Sequence, residues 1–195
     1  MIDELLKNFS RKGFKASYFK DAKSATNWLC QNIKNTSVGF GGSTTVGQLN
    51  LIELLGENNQ VFAHAKDGPS AYQGARNAET YICSANAITK TGEIVNIDGR
   101  GNRVSATSYG TKRVFFVCGT NKITQDLQSA LYRAKNVAAP LNAKRLKRKT
   151  PCAIKGDKCY NCQSPERICN ITTIITNPPF DMQVYIVLIE GNFGF

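Results

Sequence analysis

Down this chain the apolar residues change their period again and again. Ile2, Leu5, Leu6 and Phe9 recur at helical spacing, with Gly13 as a stop. Asp21 then offers an N-cap for a second helix, whose Ala22, Ala25, Leu29 and Ile33 share one face. Short β-type runs follow at 36–40, 61–65, 80–84, 93–97 and 114–118, with helical stretches at about 45–55 and 124–137 between or after them. Helix and strand periods that alternate in this way predict an α/β domain built on a parallel-rich sheet.

A chain of 195 residues, 42% of them hydrophobic, is long enough for one packed core. The reading is therefore a single domain over 1–195, with residues 140–170 as a basic, cysteine-containing elaboration that begins where the pattern changes after Pro140. Two β-branched runs follow, Ile171–Thr176 and Met182–Ile189. Asn177-Pro178-Pro179 separates them, which predicts a hairpin or two neighbouring strands. No stretch reaches the ~18 uninterrupted apolar residues of a membrane span, and the first residues do not resemble a secretion leader. The expectation is a cytoplasmic protein without a membrane span.

Several loops after β runs carry polar groups. Gly39-Phe40-Gly41-Gly42-Ser43-Thr44-Thr45 is glycine-rich and precedes a helical stretch, so its amides and hydroxyls could receive an anion. It lacks the third glycine of a dinucleotide fingerprint and the Gly-Lys-Ser/Thr ending of a Walker loop, and it also reads as a capped strand-to-helix turn. Asn96-Ile97-Asp98-Gly99-Arg100-Gly101-Asn102-Arg103 gathers a carboxylate, an amide and guanidinium groups on one loop, although Asp-Gly and Gly-Asn are also ordinary turn pairs. Ser84–Thr89, with Asn86, and Gly119–Lys122 occupy similar strand ends. Ligands of open α/β sheets bind at the carboxyl ends of strands, where four such loops could converge.

Four of the seven cysteines cluster: Cys152, Cys159, Cys162 and Cys169 have the spacing C-x6-C-x2-C-x6-C. In a cytosolic setting this favours metal over disulfides, as an all-thiolate zinc or iron–sulfur site, with reduced structural or redox thiols as the alternative. Cys30, Cys83 and Cys118 lie singly in apolar runs and read as small buried hydrophobes. His64, the single histidine, lies in Val61-Phe62-Ala63-His64-Ala65 and reads as a core or edge residue, which excludes multi-histidine metal sites.

The net charge is +11, and Lys144, Arg145, Lys147, Arg148 and Lys149 concentrate part of it. Such density attracts phosphates, anionic metabolites or an acidic partner. Aromatic interleaving is poor there and no recognition motif occurs, so nucleic acid is the less favoured partner.

These loops, taken in order, carry a resemblance. Asn86-Ala87-Ile88-Thr89 through Asp98-Gly99-Arg100-Gly101-Asn102-Arg103-Val104, then Val114–Ile123, then Ala138–Leu146, with Gly41-Gly42-Ser43-Thr44-Thr45 upstream, resemble the LUD domain family, named for lactate utilisation. Residues 159–170 resemble a short, cysteine-containing branch of it. The resemblance implies a three-layer α/β/α fold like that of glucosamine-6-phosphate deaminase, ribose-5-phosphate isomerase and the CoA transferases. It further implies an accessory component of lactate or organic-acid utilisation that binds a small anionic metabolite, beside an iron–sulfur protein partner. A free-standing isomerase, transferase or hydrolase acting on a sugar phosphate or CoA ester is the alternative. By comparison with the sugar-phosphate isomerases, Gly41, Gly42, Ser43, Thr44, Asn86, Asn102 and Arg103 are candidate ligand-binding residues and Asp98 and Lys122 candidate catalytic ones. The chain departs from the family's pattern at Gly47 and Gln48, where an acidic residue is expected.

Overall fold

A computed structural model describes residues 2–195; Met1, part of the domain expected over 1–195, lies outside the described residues. The strands are β1 (Lys15–Phe19), β2 (Ser37–Phe40), β3 (Gln60–Ala63), β4 (Thr80–Cys83), β5 (Ala87–Thr89), β6 (Ile94–Asp98), β7 (Arg113–Gly119), β8 (Ile123–Thr124), β9 (Ile171–Ile175) and β10 (Gln183–Ile189). Six of them form one sheet in the order β1-β10-β7-β4-β2-β3, every neighbouring pair parallel.

This sheet is buried on both faces, as the near-continuous apolar run of β7 requires. Val114, Phe116 and Cys118 point to one side. There they pack with Leu5 and Phe9 of the helix Ile2–Arg11, Ala75 of Ala71–Asn77 and Ala106 of Asn102–Ser108. Phe115 and Val117 point to the other, against Ala25 and Leu29 of Ala22–Asn32 and Leu51 and Leu55 of Leu51–Gly56. Two cores on opposite faces of one sheet make three layers. Gly39 is a point of close approach: a Cβ there would collide with the carbonyl oxygen of Ala75.

The remaining strands form a second sheet, β8-β5-β6-β9, in which β6 runs antiparallel to both β5 and β9. Several expectations are corrected here. The run at 93–97 is β6 and belongs to this small sheet, because Lys90–Glu93, with Gly92 at φ 88°, turns the chain back on β5. The β9 and β10 segments are neither a hairpin nor neighbours: β9 pairs with β6, whereas β10 enters the large sheet between β1 and β7.

The run at 61–65 ends early. Asp67 accepts the amide of Ala63 (3.1 Å) across the helical turn His64–Asp67, so His64 stands just beyond the end of β3. The helix expected at about 45–55 is two pieces, Thr44–Gln48 and Leu51–Gly56, divided by Asn50 in a left-handed conformation. The stretch expected at 124–137 starts after the Asp126 cap and continues past Pro140 to Arg145, through a π turn at Ala134–Ala138. The π turn immediately precedes the proline, whose missing N–H breaks the regular ladder.

Among the described residues no helix is long and apolar enough to cross a membrane.

Candidate functional site

Parallel strands bring all their carboxyl ends to one edge, and here that edge carries a cleft of about 300 Å³. Gly42, Ser43, Thr44 and Thr45 follow β2, His64 follows β3, Ser84 to Asn86 follow β4, Lys122 follows β7 and Gly194 follows β10. The small sheet closes one side with Ile97 and Asp98 at the end of β6 and Gly99, Arg100, Asn102 and Arg103 after it. The helix ending at Arg145 supplies the opposite wall: Ala138, Asn142 and Arg145, spaced by four and three, face inward, with Arg148 just beyond.

The glycine-rich loop and the Asp98–Arg103 loop therefore border the same cavity. Of the residues singled out in the sequence, Gly42, Ser43, Thr44, Asn86, Asp98, Asn102, Arg103 and Lys122 line it. Gly41 does not; it lies where a Cβ would come within 2.8 Å of the Tyr81 hydroxyl.

Lys122 is the centre of the arrangement. It is 3% exposed, and its Nζ donates to the hydroxyls of Ser84 (2.8 Å) and Thr45 (3.0 Å). None of its hydrogen-bond partners is a carboxylate. Burial lowers its pKa to about 8, the Cys118 thiol works against that shift, and Arg133 and Arg103 add to it. Thr45 is tied in turn to the carbonyl of Phe193 (3.1 Å).

Asp98 is the cleft's carboxylate, and both of its oxygens are engaged. One pairs with Nη2 of Arg103 at 3.2 Å, and the other accepts the amide of Val104 (3.0 Å) at the start of the helix Asn102–Ser108. Ser43 caps Thr44–Gln48 through the amide of Val46 (3.2 Å), so the capped-turn reading of that loop describes its hydroxyl. Asn86 braces the loop pair, accepting the amide of Ile97 (2.7 Å) while its own amide donates to Asn96 (3.0 Å).

Charge in the cleft is one-sided. Lys122, Arg100, Arg103, Arg145 and Arg148 line it against Asp98, which Arg103 already neutralises. The Nε groups of Arg103 and Arg148 are buried with no acceptor. His64 stacks on Tyr72 with centroids 4.8 Å apart, and burial, then the charges of Arg100 and Arg145, lower its pKa, so the ring is neutral at pH 7. A side chain on Gly42 would press on that ring, since a Cβ would lie 3.3 Å from Cε1 and Nε2.

The sequence reading did not include His64, Tyr72, Arg100, Asn142, Arg145 or Arg148 among the site residues. Arg145 and Arg148 had a signal in the basic run, and Arg100 in its loop. His64 and Tyr72 had none, because an apolar strand-like run hides a residue that sits one step past the strand end.

A second, smaller cavity of about 20 Å³ lies behind the wall helix. Cys152, Cys159, Cys162 and Cys169 all line it, together with Lys135, Ala139, Ala143 and Arg167. Ile168 lines both cavities. All seven cysteines are free thiols; Cys83 and Cys118 are buried, whereas Cys30 is only half-buried.

Among solved structures, a DUF162 family protein from Deinococcus radiodurans is similar at 11% identity, covering 97% of this chain and 96% of that chain with a TM-score of 0.57. Ribose 5-phosphate isomerase A from Neisseria gonorrhoeae matches at 15% identity over 54% of each chain, with a TM-score of 0.37. No curated protein matches in sequence. The family model of the LUD domain matches residues 2–189, and a match over nearly the whole length places this chain in the LUD domain family.

Proposed function

We propose that the cleft binds a small anionic metabolite, a carboxylate or phosphate, and that the protein serves lactate or related organic-acid utilisation as a cytoplasmic accessory component beside an iron–sulfur partner. The observation that carries this reading is the unbalanced side-chain charge: five permanent or near-permanent cations line the cleft with one side-chain carboxylate, which is already paired. Lys122 is buried with no carboxylate partner, a costly arrangement, and an anion in the cleft would bring counter-charge to it and to the more exposed guanidinium groups around it.

A second reading, a free-standing isomerase, transferase or hydrolase, draws on Lys122. With a pKa of about 8, part of its population is an uncharged amine near neutrality, able to accept a proton or attack a carbonyl.

Calorimetric titration at low ionic strength with L-lactate, inorganic phosphate and ribose 5-phosphate tests the binding reading. At least one should bind, with heat abolished in Arg148→Ala and weakened by added salt. At 100-fold excess over Kd the bound anion should stabilise the fold by about 2.7 kcal/mol. Absence of binding by all three, or equal binding by the variant, refutes it. Turnover of ribose 5-phosphate or a CoA ester by the isolated chain, lost in Lys122→Ala, would establish the second reading instead.

A further inference from the structure

We infer that Cys152, Cys159, Cys162 and Cys169 form one metal centre, a four-thiolate site for a single thiophilic ion, built behind the wall of the cleft. The chain reaches this point from three directions. Cys152 lies on the helix Pro151–Lys155, Cys159 and Cys162 in the irregular segment that follows it, and Cys169 just before β9. All four nevertheless line the same cavity of about 20 Å³, enough for one water-sized body, and none is spent in a disulfide.

Between Cys159 and Cys162 the backbone bends at Asn161. Asn161 takes φ 48° and its amide donates to the sulfur of Cys159 (3.3 Å), a hydrogen bond that stabilises a thiolate and sets its direction. Lys135 and Arg167 line the same cavity and supply positive charge against the thiolates. Arg167 also clamps the arms: its Nη1 donates to the carbonyl of Cys162 (3.1 Å) and its Nη2 to that of Cys169 (2.9 Å). Its Nε is buried without an acceptor, a donor that a ligating sulfur would satisfy.

The sulfurs surround the cavity without converging. Among the described residues no three Cys, His, Asp or Glu side chains already form a ligating group. Binding thus draws the four arms inward, and each thiol releases its proton to solvent as its sulfur joins the metal. The centre stands independently of the anion reading.

The test is metal analysis, with an acid-labile sulfide assay, on protein purified anaerobically in reductant. The wild type should carry about one equivalent of a thiophilic ion such as zinc, without acid-labile sulfide. Each of Cys152→Ser, Cys159→Ser, Cys162→Ser and Cys169→Ser should lose most of it, while Cys30→Ser keeps it. Hydrogen exchange across residues 149–170 should quicken when a chelator strips the wild type and slow again on reloading, which keeps the test valid if a serine variant misfolds. Metal-free wild type that takes up no Zn²⁺, or protein that carries sulfide with iron, overturns the proposal. So does full metal retention in Cys152→Ser or Cys169→Ser.

Discussion

Lys122→Met removes a charge while keeping the length of the side chain, and the pH dependence of its effect is calculable. In the folded protein the ammonium pKa falls from 10.5 to about 8, chiefly because 97% of the residue is withdrawn from water. Holding the charged form at pH 7 therefore costs ~3 kcal/mol. The unfolded chain keeps this proton up to about 10.5 and the folded chain releases it from about 8. Between those values the unfolded state binds more protons, so wild-type stability rises with pH, and below about 8 the full cost is present. At any single pH the comparison with Lys122→Met also contains lost hydrogen bonds to Ser84 and Thr45, each worth roughly 1 kcal/mol. Those terms do not change with pH. Urea denaturation of both proteins at about pH 7 and about pH 9.5 should show the wild type gaining ~2 kcal/mol on the variant across that interval. A difference that stays constant within ~0.5 kcal/mol would mean that Lys122 is not a suppressed base, and the reasoning would fail.

Two other substitutions probe the frame around the cleft. Asp98→Asn breaks the pairing with Arg103 and should lower Tm by about 5 °C, corresponding to ~2 kcal/mol; an unchanged melting curve would contradict the structural role given to that carboxylate. Gly39→Ala drives a Cβ into the backbone of Ala75 and should cost about 3 kcal/mol or more in denaturant titration; a loss under ~1 kcal/mol would show that β2 and the helix Ala71–Asn77 can separate freely.

The helices and the parallel strands were legible because their residues repeat at the period of the element. Ala25 and Leu29 announce a helix face, and the unbroken Val114–Cys118 run announces a strand covered on both sides. Strand partners were not legible. The β-branched composition of 171–176 and 182–189 is the same whether the runs pair with each other or with strands far away, and only the packed structure separates them. In the cleft, the Ser43, Asp98 and Lys122 loops stood out because small and polar residues follow apolar runs. Their division of labour did not: polar residues on strand-end loops are expected to add little to stability, yet Asp98 is committed to Arg103 and Val104. His64 enters the cleft only because Asp67 ends β3 before it, a long-range consequence of a short-range hydrogen bond. The basic run divides as well, since Arg145 and Arg148 line the cleft whereas Lys144, Lys147 and Lys149 do not.

The strand order has a consequence for how the chain is made. β1 pairs with a single neighbour, β10, in a register that sets Lys15 beside Tyr185. A ribosome adding ~5–20 residues per second needs roughly 10–30 s to travel from one to the other. From its own synthesis onward β7 lacks one of its two partners, and throughout the interval the strand Lys15–Phe19 has none. The four-stranded remainder, β7-β4-β2-β3, can assemble first, leaving an open edge that the last strand to emerge must fill from both sides at once. A nascent chain that stalls after β9 would thus display two unpaired edges with ready-made β character, surfaces prone to pair with other chains until β10 arrives.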